Sequence, residues 1–151
     1  MIWNTLIHNT VLVAAVMGWF VAQVLKTIIH LLVNKKLDLE RLTGSGGMPS
    51  SHSATVCAMC ASAFMEYGAG SFEFAIAFIL AAIVMYDARG VRRETGIQAQ
   101  ILNEMIEFFN QMGEKVSREK KLKELVGHTP LQVLIGGILG IIIGVVIGFW
   151  L

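Results

Sequence analysis

Two parts of this sequence set a histidine beside groups that suit an oxyanion. The first is Gly44-Ser45-Gly46-Gly47-Met48-Pro49-Ser50-Ser51-His52-Ser53-Ala54. Three glycines within four residues cannot hold a helix, and Pro49 then fixes one φ angle. Ser50 or Ser51 is suited to cap the apolar run that follows. A glycine-rich loop feeding a helix N-terminus presents unpaired N–H groups and the positive end of the helix dipole, the two features that favour a phosphate. His52 falls in the first turn of that helix, where it can give a proton to an anion held there. The competing reading is a serine-capped turn with a surface histidine.

The second part is split between Asp87-Ala88-Arg89-Gly90-Val91-Arg92-Arg93 and Gly127-His128-Thr129-Pro130. A helix continuing through Gly90 would cluster Arg89, Arg92 and Arg93, whose forked guanidinium groups match phosphate oxygens. Gly127-His128-Thr129-Pro130 opens the last helix, so His128 lies at a helix start. The competing reading is a cationic cluster touching lipid headgroups. Asp87 and the two histidines need a separate explanation under it.

The elements that must position these residues are membrane helices. Of 151 residues, 55% are apolar, and the mean hydropathy is +0.65, well above a soluble domain. Apolar segments of near-spanning length recur, and no linker divides the chain, so residues 1–151 form a single membrane-embedded domain. The first apolar run lacks a basic leader and a small-residue cleavage site, and reads as a retained helix over about 11–33. Within it Gln23, Lys26, His30 and Asn34 form one helical stripe. Such a stripe faces a bundle interior, unless Lys26 snorkels to the interface. A second helix is expected over about 50–65, rich in Ala, Ser and Cys, and a third over 72–86. An amphipathic helix begins near Gln98, with Ile101, Met105, Phe108, Phe109 and Met112 on one face. The last helix follows Pro130, with Gly136, Gly140, Gly144 and Gly148 at i+4 steps. These glycines make a close-packing groove for another helix, internal or from a second copy. Cys57 and Cys60, the only cysteines, read as small packing residues, since two such ligands make a poor zinc site.

The expected fold is therefore an all-α integral membrane bundle of about four transmembrane helices plus one amphipathic interfacial helix. All twelve Lys and Arg lie at position 26, within 35–41, within 89–93 or within 115–123. With four spans they gather on one face, and the opposite loop carries Glu66 and Glu73. The positive-inside rule then turns the basic face to the cytoplasm in a plasma (inner) membrane.

Gly47-Met48-Pro49-Ser50-Ser51-His52-Ser53-Ala54, Met85-Tyr86-Asp87-Ala88-Arg89-Gly90-Val91-Arg92-Arg93 and Gly127-His128-Thr129-Pro130 together resemble the divergent branch of the type 2 phosphatidic-acid phosphatase superfamily, related to acid phosphatases and vanadium-dependent haloperoxidases. The match covers nearly the whole chain, in order. It implies a helical bundle that hydrolyses phosphomonoesters or diphosphates without a metal or other cofactor. His52 resembles the general acid and His128 the nucleophile that attacks phosphorus. Ser50, Ser51, Lys36, Arg41, Arg89, Arg92 and Arg93 would hold the phosphoryl oxygens. The pattern is altered in three places. Gln132 stands where the superfamily places an aspartate behind the nucleophile, with Asp87 as the other group that could supply that carboxylate. Leu122 replaces an arginine six residues before His128, and the lysine-arginine-proline motif is broken around Lys35, Lys36 and Arg41.

The resemblance implies a membrane lipid-phosphate phosphatase acting on a phospholipid or isoprenoid phosphate. No nucleic-acid partner is expected, and the glycine groove offers Gly136, Gly140, Gly144 and Gly148 for a homo-oligomer as one of its uses. The alternatives are a non-catalytic membrane protein that binds phosphate or anionic lipid, and a small transporter. A metal-dependent phosphoalcohol transferase fits less well, because Asp38, Glu40, Asp87 and Glu94 lack metal-ligand spacing.

Overall fold

The computed structural model describes residues 6–35, 47–112, 122 and 128–151, the side chains of 91–93 excepted. These residues form five principal helices: α1 Thr10–Asn34, α2 Ser51–Tyr67, α3 Phe72–Arg89, α4 Val91–Gln111 and α5 Pro130–Trp150. No strand occurs among them. By length and composition α1, α5 and the apolar stretch beginning at Phe72 can each cross a membrane. The protein is an all-α integral membrane bundle, as its composition requires.

α2 is the axis of that bundle. Its 17 residues span only about 25 Å at 1.5 Å per residue, and its sequence is the least apolar of the bundle helices. It is nevertheless enclosed, packing against α1, α3 and α5, with its most extensive contact to α5. Ala54, Val56, Cys57, Ala58, Ser62 and Ala63 are buried, and small side chains permit such close approach. The large apolar residues point the other way: Phe20, Leu32, Ile79, Ile83, Leu134 and Ile142 are among those exposed on the outside of the bundle. In a bilayer that face meets lipid, the inverse of a soluble core.

The glycine stripe of α5 is used inside the chain. A Cβ at Gly136, Gly140 or Gly144 would overlap the carbonyl oxygens of Ser50, Ala54 and Ala58 respectively. Both helices therefore advance by four residues per contact in the same direction, so α2 and α5 are parallel and in register. At Gly148 the neighbour is Met65, 2.9 Å from such a Cβ. Of the two expected uses of the groove the internal one is seen, since α2 fills it. α1 crosses α2 on a glycine of its own, Gly18, whose Cβ would lie 2.7 Å from the Ala54 oxygen. α3 runs antiparallel to α2, with Phe64 against Phe74 at 5.4 Å between ring centroids and the Cys57 sulfur 3.6 Å from that of Met85.

α4 differs from its expected form. It begins at Val91 rather than near Gln98, because Gly90 interrupts the helix for a single residue before it resumes. Arg89 therefore ends α3 while Arg92 and Arg93 lie in the first turn of α4, and no continuous helix carries all three. Among the bundle helices α4 touches only α3, as an interfacial helix should. Asn103 is 7% exposed, and its side-chain amide grips the backbone of Leu122. Nδ2 donates to the Leu122 oxygen and Leu122 N–H donates to Oδ1, both at 2.9 Å. Residues 113–121 and 123–127 lie outside the described residues.

Candidate functional site

The antiparallel and parallel pairings bring one end of every bundle helix together. The C-termini of α1 and α3 and the N-termini of α2 and α5 share this end, and both histidines sit there. Each helix start is built by a local cap. Ser50 caps α2, its hydroxyl accepting from Ser53 N–H at 3.4 Å and from the Ser53 hydroxyl at 3.1 Å. Thr129 caps α5 with a reciprocal box: Gln132 N–H donates to the Thr129 hydroxyl at 3.4 Å, and Thr129 N–H donates to Gln132 Oε1 at 3.1 Å. Two further bonds tie the segments together. Ser50 N–H donates to the Gln132 carbonyl at 3.1 Å, and His128 N–H donates to the Ala88 carbonyl at 3.3 Å.

The consequence is convergence of the two rings. His52 and His128 stand 5.9 Å apart between centroids, edge to face at 63°. His128 is 1% exposed, whereas His52 is half-buried, so the pair is approached from the His52 side.

The tautomer of His128 follows from the cap. A backbone N–H can only donate, so the Gln132 side-chain atom facing Thr129 N–H is the oxygen. The same oxygen lies 3.3 Å from His128 Nδ1, and it can only accept. His128 therefore carries a proton on Nδ1, and in the neutral ring the lone pair is on Nε2. An imidazole oriented this way presents Nε2 as a base or nucleophile.

The remaining site residues are distributed as follows. Ser50 and Ser51 are buried at the start of α2, and the N–H groups of Ser51 and His52 have no acceptor within their own helix. Asp87 is half-buried and Arg89 exposed in the last turn of α3. Gln132 Oε1 faces His128 Nδ1 at 3.3 Å. The side chains of Arg92 and Arg93, and Lys36 and Arg41 entirely, lie outside the described residues. Among the described residues, no group of three or more His, Cys, Asp and Glu side chains is placed to hold a metal ion.

Sequence reasoning left the direction of one side chain open. Lys26 is 2% exposed, and Nζ donates to Gln23 Oε1 at 2.6 Å. Gln23 and Lys26 thus face inward, while His30 is half-buried and Asn34 exposed, and snorkelling is not the role of Lys26. Its signal was present in the i, i+3, i+7, i+11 spacing. The spacing alone did not say that the Gly47 turn lies over the lysine.

A helical membrane bundle with two histidines converging beside paired helix N-termini is the class of protein these features define. The chain belongs to the divergent PAP2 family, whose model matches residues 7–143. It is also similar to YuiD, an uncharacterized membrane protein of Bacillus subtilis (strain 168), with 39% identity over 154 residues covering 96% of this chain and 98% of that protein. No solved structure matches this fold.

Proposed function

We propose that the protein is a metal-independent phosphatase of a lipid phosphomonoester or diphosphate. The observation that carries this reading is the set geometry of His128, with Nδ1–H held by Gln132 and Nε2 basic, 5.9 Å from the His52 ring. His128 Nε2 attacks phosphorus, the bond from phosphorus to the lipid oxygen breaks, and His52 protonates the departing oxygen. Water then attacks the phosphohistidine, giving its proton to His52 and releasing inorganic phosphate. The first-turn N–H groups of α2 and the positive ends of α2 and α5 stabilise the charge on the phosphoryl oxygens. Ser50, Ser51, Arg89, Arg92, Arg93, Lys36 and Arg41 are the candidates to share that charge.

An apolar cavity of about 420 Å³ supports a lipid substrate. It lies between α2, α3 and α5, bounded by Cys57, Phe64, Phe78 and Met85 among others, and offers room for an acyl or isoprenoid chain. The charge asymmetry of the sequence supports placing the histidine end toward the cytoplasm in the plasma membrane.

A second reading is favoured by one residue. Gln132 is neutral, so it orients His128 but stabilises a cationic imidazole less than a carboxylate would. In serine proteases an amide at the equivalent position lowers turnover by roughly 10⁴-fold. A protein that binds lipid phosphate without hydrolysing it has the same geometry.

The deciding experiment is phosphate release by purified protein in EDTA from a panel of lipid phosphates and diphosphates. Turnover that is inhibited by vanadate and abolished by His128→Ala supports the phosphatase. Phosphate binding without turnover supports the second reading. Activity that survives His128→Ala but is lost in EDTA overturns the mechanism.

A further inference from the structure

An amide buried on the interfacial helix of a membrane protein calls for hydrogen-bond partners. Asn103 of α4 is 7% exposed, and it takes hold of main chain. Its Nδ2 donates to the Leu122 oxygen and its Oδ1 accepts from the Leu122 N–H, both at 2.9 Å. One donor and one acceptor on a single planar group match the N–H and C=O of one residue. The grip therefore reads backbone, whatever side chain that residue carries.

α4 stands between this grip and the lipid. Gly96, Ala99 and Asn103, at i, i+3 and i+7, form its buried face. Ile97, Ile101, Met105, Phe108 and Met112 form an exposed apolar stripe on the other side. The helix starts two residues after α3 ends, at the histidine end of the bundle, so the stripe runs along the membrane surface with lipid beneath it. One face of α4 rests on the bilayer, and the other holds Leu122.

Six residues after Leu122 comes His128. A second tie secures the far side of that connection, where His128 N–H donates to the Ala88 oxygen near the end of α3. That bond is 3.3 Å long, outside the usual range of about 2.7–3.2 Å, so by itself it holds the entry to α5 loosely. The two shorter bonds at Leu122 hold the preceding chain more firmly. Gln132 thus turns the His128 ring from the α5 side, while α3 and α4 fix its main chain from the other.

We infer that Asn103 is a positioning residue for His128. By holding Leu122 against α4 it sets the path on which the chain reaches the start of α5. That path sets where the His128 ring stands relative to His52 and to a bound phosphoryl group. The inference rests on the proposed reading of His128 as the nucleophile. A reacting group misplaced by about 1 Å can cost on the order of 10²-fold in rate, even when the altered residue is remote. The loss belongs to the attacking step, because His52 stands on α2, which α4 does not touch.

The test compares full-length wild type with Asn103→Leu and Asn103→Gln in detergent. Substrates are the lipid phosphate turned over fastest in the panel above and an aryl phosphate, both in EDTA. Asn103→Leu removes both bonds, and Asn103→Gln keeps donor and acceptor on a longer stem. Asn103→Leu is expected to lower kcat by roughly 10-fold or more, up to the roughly 10²-fold that misplacement can cost, with KM little changed. The loss should be as large on the aryl phosphate, whose leaving group needs little help from an acid, and smaller in Asn103→Gln. A lower melting temperature with kcat equal to wild type marks a stability role alone and overturns the inference. A rise in KM at constant kcat also overturns it, since α4 would then act on substrate binding. A loss that vanishes on the aryl phosphate does the same, placing the effect at His52. If Asn103→Leu fails to fold, Leu122→Pro, which removes the N–H that Oδ1 accepts, is judged by the same readouts. Each of these failures leaves the proposed function standing. Wild-type protein that hydrolyses no lipid phosphate overturns that function, and this inference with it.

Discussion

The side-chain oxygen of Gln132 stands 3.3 Å from Nδ1 of His128, one helical turn away in sequence, and is fixed there by the backbone N–H of Thr129. One amide thus caps α5 and sets the tautomer of a histidine. The place is occupied by an uncharged group where a carboxylate would stabilise an imidazolium.

Restoring a negative charge at this place should speed the chemistry. Gln132→Glu keeps the reach of the side chain and suits the third position of a capping box. Its expected effect is a higher turnover, by roughly 10-fold or more, since a carboxylate in this role is worth as much as roughly 10⁴ elsewhere. Gln132→Leu should lose both the cap and the orientation, lowering turnover and thermal stability together. A rate unchanged in both variants, measured under single-turnover conditions, would mean that Gln132 does not act through His128.

His52 should be worth less than His128. Loss of a positioned general acid costs roughly 10²–10⁴-fold, while loss of the nucleophile removes the covalent intermediate entirely. The distinguishing measurement uses a substrate with a good leaving group, such as an aryl phosphate. His52→Ala should be substantially rescued on it and His128→Ala should not. Equal rescue of the two variants would break the assignment of roles.

The α2–α5 contact should tolerate no added side chain. Gly140→Leu forces the helices apart where the Ala54 carbonyl meets the glycine, with an expected cost of about 1–3 kcal/mol and a lower melting temperature in detergent. Gly70→Leu is the control, because a Cβ there meets nothing within 4 Å. Equal melting temperatures for the two variants would contradict the packing.

Sidedness can be read by thiol labelling in a Cys57→Ala, Cys60→Ala background. Cysteine at Gly70 or Leu151 is expected to react with an impermeant maleimide added outside intact cells, and cysteine at Met112 to be protected. Labelling of the Met112 position from outside would reverse the orientation drawn from the basic residues.

Some of this architecture was legible because its signal is periodic. Glycines every four residues in α5 announced a close helix contact, and Thr129-Pro130 announced where that helix starts. The polar stripe on α1 was visible too, although lysine has a flexible stem that permits either of two directions. Gly90 misled, since a helix continuing through it would cluster Arg89, Arg92 and Arg93, whereas here it interrupts the helix for one residue. Gly18 carried no signal, being a lone glycine in an apolar run. The occupant of the α5 groove was also hidden. Which helix fills a groove is a property of the assembled bundle, and a second copy would leave the same pattern. The grip of Asn103 on Leu122 spans 19 residues, and an asparagine on a helix face gives no hint of a partner that far away.

The central position of α2 bears on how the protein enters its membrane. α2 is short and carries serines, a histidine and a threonine, so it gains little from lipid by itself, and the helix that covers it most fully follows α1 and α3 in the chain. During translocation α2 must wait at the insertion machinery, or at the membrane surface beside α1, until α5 emerges and offers its glycine face. A chain truncated before Pro130 would lack that face and present α2 as an unfinished segment, a natural target for membrane quality-control proteases. The spine that aligns the two histidines is in this way also a late checkpoint of biogenesis.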